Sequence, residues 1–409
     1  MSPIFRQRPA ERAPSLRIIN GRVVDPANGI DEICDLYIQD GRIAGMGKPP
    51  EDFRAVRTID ARDRIVCPGV IDAWSRLREP GATHKASIAS ESRAAIANGI
   101  TTLCCPPDSS PIIDSSAVVK LVFERSGQAG HARVQPIGAL TQGLEGQQLS
   151  QAAGLGAAGC IALSNALHPI QDTRVLRHAL EYATSHGLPV VIQPLDPWLS
   201  HGGCAHEGPV AARLGLPSIP ASAETAALAK ALALVEETGA RVHFTNLSAG
   251  RSVKMIEQAR NDGLPVTAAV SAHQLYLTEM DTDAFDSQCH VIPPLRSQRD
   301  RDLLRQGVAD GVIDVIQSDH QPHEADAKLA PFPSTEPGIS ALDTLLPLTL
   351  KLVDEGVLEL ERAVATLTSG PAAALGLETG SLSAGQPADI CIVDGNAFHT
   401  IDRELLYSQ

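Results

Sequence analysis

Residues 67–81 read CPGVIDAWSRLREPG, and the character of the chain changes across them. Before this stretch, residues 16–66 alternate apolar and polar positions around tight-turn dipeptides. LRIINGRVVD carries Asn20-Gly21 and CDLYIQDGRIAGMG carries Asp40-Gly41, both hairpin signals, so a small antiparallel sheet is expected. After it, short β-rich runs alternate with helical stretches. The runs are Val70–Ala73, Thr101–Cys105, Arg133–Gly138, Gly159–Leu163, Pro189–Gln193, Arg241–Thr245, Pro265–Val270 and Ile313–Ser318. Thr173–His186, Ala221–Thr238 and the shorter Ser252–Asn261 are helical stretches among them. Strands alternating with helices in this way predict an α/β protein built on a parallel (β/α)8 barrel of TIM type. Functional groups are then expected just after each strand.

A helical region follows over Ile339–Leu375, and GSLSAGQPADICIVDG returns to strand character. A sheet begun before the barrel and resumed after it makes one small discontinuous β-domain. The expected organisation is a basic arm at 1–15, the first part of the β-domain at 16–66, the barrel at 67–376 and the second part of the β-domain at 377–409.

The 409 residues suit one barrel plus an appendage, and 43% hydrophobic content supports a large core. A net charge of −14 argues against nucleic acid and against an anionic membrane surface as partners. No apolar run reaches membrane-spanning length. The opening MSPIFRQRPAERAPS carries Arg6, Arg8 and Arg12 without an apolar core, unlike a secretory leader. A loose terminus and a partner-docking arm both fit it. None of the eight cysteines forms a C-x-x-C pair, and most sit in apolar runs, so a reduced, cytoplasmic protein is expected.

In this setting PGVIDAWSRLREPG resembles the first-strand signature PGxIDxHxHxREPG of the dihydroorotase family, cyclic amidohydrolases of the amidohydrolase superfamily. The resemblance continues through HKASIASESRAAIANGITTLCCPP, AGCIALS, HEGPVAARLGLPSIPASAE, HFTNLSAGRSVKMI, VSAHQLYLTEMD, PPLRSQRDRDLL, DVIQSDHQPH and TSGPAAALGLETGSLSAGQPADICIVD. It thus spans nearly the whole chain from residue 16. It implies an eight-stranded barrel with a small β-sandwich formed from both chain ends, and a further short stretch beyond DRELLYSQ.

The family's metal site departs from pattern. Its two first-strand histidines fall on Trp74 and Arg76. Its bridging group after strand 4 falls in Ser164-Asn165-Ala166, and its strand 5 and strand 6 histidines fall on Gln193 and Asn246. The strand 8 aspartate, the family's base, is kept as Asp319. Of four substrate-holding positions, Arg78 and His323 persist, whereas two asparagines become Asp108 and Ile292.

A hydrolytic zinc site needs about three ligands from His, Cys or carboxylate plus an open position for water. Trp and Arg cannot ligate, and amides are poor zinc donors. A fixed guanidinium ~4 Å from a dication would oppose it by roughly 8 kcal/mol at an effective dielectric of 20. Without the metal, water keeps a pKa near ~15.7 instead of about 7. No cofactor is therefore expected, and hydrolytic or cyclising chemistry is expected to be lost. Arg76 is expected to pair with Asp319 across neighbouring strands, with Trp74 filling the vacated volume.

The residues Asp319, His320 and His323 read best as a satisfied polar network at the barrel mouth. A residual acid/base cluster, or a rebuilt metal site with His273 and His290, is the other reading. Segment 324–338, with Lys328, corresponds to a loop that closes over substrate in the family. Trp198 and the adjoining SHGGCAHEG suggest a flexible turn more than a ligand site.

Three functional classes follow. The first, implied by the resemblance, is a non-catalytic subunit. Dihydroorotase-like pseudo-enzymes assemble with the catalytic chain of aspartate carbamoyltransferase, as homo-oligomers within a hetero-oligomer. The second is an active zinc-dependent dihydroorotase or related cyclic amidohydrolase with a remodelled metal site. The third is a sensor whose emptied pocket binds a pyrimidine intermediate or nucleotide.

Overall fold

A computed structural model describes residues 15–397, 402 and 406–408. The expected basic arm lies outside the described residues, apart from Ser15. Eight short parallel strands run in chain order: Val70–Asp72, Ile100–Cys105, Arg133–Pro136 with Gly138–Ala139, Leu163–Ser164, Val190–Ile192, Val242–Phe244, Val266–Ser271 and Val315–Gln317. Successive strands pair in parallel. Ile137 N also donates to Cys105 O at 2.9 Å, within the interrupted third strand.

The ring closes between the first and eighth strands. Ser75 bridges His320 in parallel, and Arg76 N donates to His320 O at 2.9 Å. The buried Asp72 carboxylate fastens this seam from inside: it accepts from Ser318 N at 2.9 Å and from the hydroxyls of Ser75 and Ser318. A buried carboxylate is tolerable only when its lone pairs are filled in this way.

Period-2 alternation divides each strand between two cores. Val70, Leu103, Val134, Val190, Val242 and Ile316 face the helical layer. Ile71, Ala73, Trp74, Cys104, Ile137, Ala162, Val191, Ala269 and Val315 fill the interior, joined by Ala372, Ala374 and Leu375 from the helix Ser369–Leu375. Ala73, Ala162, Ala166 and Ala269 are small members of this interior cluster, in which Trp74 is completely buried. The expectation that Trp74 fills the barrel is met.

A six-stranded sheet packs beside the barrel. Leu16–Asp25, Ile30–Gln39, Arg42–Met46, Arg57–Asp60 and Ile65–Pro68 precede it in the chain, and Ile390–Val393 follows. Its core holds Ile18, Val23, Leu36, Ile43, Val66 and Leu382.

Two expectations are corrected here. The sheet is mixed rather than antiparallel, because Leu16–Asp25 pairs in parallel with both Arg57–Asp60 and Ile65–Pro68. And Asn20-Gly21 is no hairpin turn. It is an irregularity inside one ten-residue strand, both halves of which pair with Ile30–Gln39. Asn20 adopts the left-handed conformation at φ 64°, as in a bulge. A Cβ on Gly21 would stand 2.5 Å from Val66 Cγ2, so glycine is required for close approach, not for reversal. Asp40-Gly41 does make the expected turn, both residues having positive φ.

Among the described residues no helix is long and apolar enough to cross a membrane.

Trp74→Ala should destabilise the fold by ~3–5 kcal/mol, as large-to-small changes in a closed core do. Urea unfolding followed by circular dichroism measures it. A loss below about 1 kcal/mol would mean that the barrel interior does not depend on this side chain.

Candidate functional site

The strand ends deliver the mouth residues by a shared backbone device. Ala166, Asn246 and Asp319, just beyond the fourth, sixth and eighth strands, have φ of 48°, 54° and 49°, and Arg78, beyond the first, has 62°. Left-handed conformations are strained for residues with a Cβ and persist where the surroundings enforce them. The strand–loop corners are therefore held in place by what surrounds them.

Arg76 occupies the centre. Its side chain is 6% exposed. Nε donates to Asp108 Oδ2 at 2.8 Å, and Nη1 donates to Asp319 Oδ1 at 3.4 Å. Its guanidinium carbon stands 5.7 Å from the Trp74 ring centroid, within cation–π range. The expected pairing with Asp319 is present. Asp108 is the closer of the two partners of Arg76. Nothing in the local sequence ties residues 76 and 108 together. They meet because the first and second strands are neighbours.

The other altered positions divide into two groups. Asn246 Nδ2 donates to Asp319 Oδ1 at 2.9 Å and to Gln193 Oε1 at 3.4 Å. Gln317, which sequence reading passed over, donates to Asn246 Oδ1 and to Thr245 Oγ1. An amide chain thus runs from Gln193 through Asn246 to Asp319. Asn165 belongs elsewhere. Its Oδ1 accepts from Thr141 N at 3.1 Å and Thr141 Oγ1 at 2.9 Å, and its amide donates to the carbonyls of His168 and Leu144. Ile292 packs on Leu195, Ile219 and Ala223, and its carbonyl accepts from Gln193.

Arg78 and His323 are held by each other. Arg78 Nη2 lies 3.0 Å from His323 Nε2, and Nε donates to Pro322 O at 2.9 Å. Lys85 Nζ stands 3.2 Å from His323 Nδ1. Burial, followed by the charge of Arg78, lowers the His323 pKa to about 4. Burial and the charge of Arg76 lower that of Arg78 to about 10. His320 turns away from Asp319: Nε2 is 3.0 Å from Glu91 Oε2, and Nδ1 accepts from Ala341 N. His273 meets Ser271, while His290 meets Thr335 and stacks on Phe332. These histidines do not converge, so the rebuilt-site reading has no geometry behind it.

Segment 324–338 is tied to its surroundings by several contacts. Lys328 Nζ donates to the carbonyls of Ser287 and Glu336, Lys85 pairs with Glu336, and Phe332 is buried. A cleft of about 460 Å3 remains, lined in part by Arg76, Arg78, Cys105, Asp108 and Ser109.

The donor set does not fit a catalytic zinc ion. Among the described residues no group of three or more His, Cys, Asp or Glu could hold a metal, and the one retained acidic position is already bonded to a guanidinium.

Burial raises the Asp319 pKa to about 7, against the opposing pull of Arg76 and the Asn246 hydrogen bond. Between the unfolded value of 3.8 and about 7, the folded protein keeps a proton that the unfolded chain has released. Stability from this group therefore declines as pH rises through that window. Asp319→Asn should remove that part of the slope, measured as urea midpoints at pH 5 and pH 8; an unaltered slope would refute it. Arg76→Met strands two carboxylates and should lower stability by ~3–5 kcal/mol at neutral pH. Adding Asp319→Asn to that variant should recover part of the loss, which the same titration measures.

Comparison with known proteins agrees with this architecture. Residues 65–407 match the model of the amidohydrolase family. A dihydroorotase-like protein of Pseudomonas putida is 49% identical over 94% of this chain and 90% of its own length. A second, from Pseudomonas aeruginosa, is 47% identical over 97% and 93%. A dihydroorotase of Syntrophotalea carbinolica is 43% identical over 94% and 90%. The solved L-hydantoinase of Arthrobacter aurescens superimposes with a TM-score of 0.82 at 24% identity, covering 92% of this chain and 86% of that one, a likeness of fold. Barrel, seam and sequence kinship together place this chain in the amidohydrolase family, among the dihydroorotases and dihydroorotase-like proteins.

Proposed function

We propose that this chain is a catalytically inactive dihydroorotase-like protein, a structural subunit for aspartate carbamoyltransferase in pyrimidine biosynthesis. The observation that carries the loss of catalysis is Arg76. A guanidinium bonded to Asp108 and Asp319 stands where the family resemblance puts a metal ligand. A permanent cation there opposes a dication, and it engages the carboxylate that would handle protons. No zinc or other cofactor is then required. The partner rests on the family resemblance. Such a subunit forms a homo-oligomer within the larger hetero-oligomer. The eight free cysteines suit a reducing cytoplasm.

A scaffold role also accounts for what is kept. Presenting a surface requires a folded barrel, so the Asp72 seam and the strained strand ends remain useful without turnover.

The test is co-expression of the tagged chain with the aspartate carbamoyltransferase of the same organism. Both should elute as one large particle, and carbamoyl aspartate synthesis should fall when this chain is omitted. The isolated chain should hold well under one zinc per protomer and neither open dihydroorotate nor cyclise carbamoyl aspartate. Separate elution of the two proteins would overturn the partner. Stoichiometric zinc with turnover would instead establish the remodelled-metal enzyme.

A further inference from the structure

Cys67 and Cys391 stand directly opposite each other in the β-domain. They belong to the neighbouring antiparallel strands Ile65–Pro68 and Ile390–Val393. Residues paired in this way put their side chains on one face of the sheet, with Cβ atoms roughly 4.5–5.5 Å apart. A disulfide needs about 3.5–4.5 Å, so a small approach of one strand closes the gap. Ile390–Val393 is placed to make it. It is four residues long and lies at the edge of the sheet, and among the described residues it pairs with Ile65–Pro68 alone. One ladder holds it, so it can shift without breaking a second. No other strand register among the described residues sets two cysteines opposite: Cys34 meets Gly21, Cys104 meets Gln135 and Cys105 meets Pro136.

The surroundings isolate the pair. Both residues are buried in an apolar cluster with Val24 and Val364, the latter from the helix Leu360–Leu367. A Cβ on Gly99 would stand 2.4 Å from Cys391 Sγ, so that sulfur rests on bare backbone. Each thiol has the other as its hydrogen-bond partner. The bond donated by Cys67 draws the Cys391 thiol below its ordinary value against burial, and the same bond, followed by burial, pushes Cys67 well up. Thiolate character therefore falls on Cys391 and the proton stays on Cys67.

We propose that Cys67 and Cys391 form an oxidation site, a dithiol that a peroxide converts reversibly to a disulfide. The Cys391 thiolate attacks one peroxide oxygen. The O–O bond breaks, the sulfur becomes a sulfenic acid, and the departing hydroxide takes up the proton that Cys391 had released. The Cys67 sulfur then attacks that sulfur. The S–S bond forms, the S–O bond breaks, and the Cys67 proton leaves with the oxygen as a second water. Two thiols and one hydrogen peroxide thus give one disulfide and two waters, and a thiol reductant reverses the change by exchange. The bond would staple the strand that returns after the barrel to the one that leads into it. Nothing in this site draws on catalysis or on a partner, so it stands apart from the function proposed above.

Treating the full chain with hydrogen peroxide, alkylating it and mapping its peptides by mass spectrometry without reduction tests this. The free thiols should fall from eight to six, a Cys67–Cys391 linked peptide should appear, and dithiothreitol should restore all eight. Cys67→Ser should stop at the sulfenic acid, which dimedone traps on Cys391, with circular dichroism unchanged. A folded chain that keeps its eight thiols, or links a different pair, would overturn the proposal. A folded Cys67→Ser protein without the adduct would do the same, and the map of the unaltered chain decides by itself if that variant does not fold.

Discussion

A guanidinium at the mouth of the barrel sets the terms for everything around it. Arg76 is almost completely enclosed, and a charge so placed survives only with partners that return what water would have supplied. Asp108 and Asp319 provide them, from the second and eighth strand ends. Because both partners sit on neighbouring strands, one side chain ties the corner where the barrel closes. The bond is unequal. Asp108 is the closer, at 2.8 Å against 3.4 Å, whereas Asp319 is deeper and is driven towards its protonated form. The permanent charge of the guanidinium would oppose a dication placed beside it.

The surroundings have settled around that substitution. Trp74 occupies an interior lined by alanines. Gln193, Asn246 and Gln317 are linked in an amide chain that ends on Asp319. Arg78 and His323 engage each other and the closing segment rather than pointing into open space. Buried polar groups without partners are expensive, so the loss of ligands at one position requires re-pairing at the next.

How much of this was legible in the chain itself can be judged from particular residues. The eight strands were readable because each is a short apolar run between helical periods, and the Asp40-Gly41 turn because its dihedral demands are local. The exchange of imidazoles for Trp74, Arg76, Gln193 and Asn246 was equally plain, since it is a matter of residue identity in a recognisable frame. Even the Arg76–Asp319 contact followed from the topology of a closed barrel, in which the first and last strands are neighbours.

What remained hidden was where each side chain spends its hydrogen bonds. Asn20-Gly21 has the composition of a turn, yet both flanking halves pair with one partner strand, and the long-range ladder outweighs the local preference. That Asp108 pairs with Arg76 could not be read before its neighbour across the strands was known. Asn165 looked like part of the centre but is engaged by the Thr141 loop, and Gln317 carried no signal at all. The sequence by itself determined the barrel, the small β-domain and which side chains stand at the strand ends, because periodicity and chemical identity are properties of the chain. Only the tertiary structure decided which of those charges meet, as Arg76 meets Asp108 and Asp319, because that depends on distances between residues far apart in sequence.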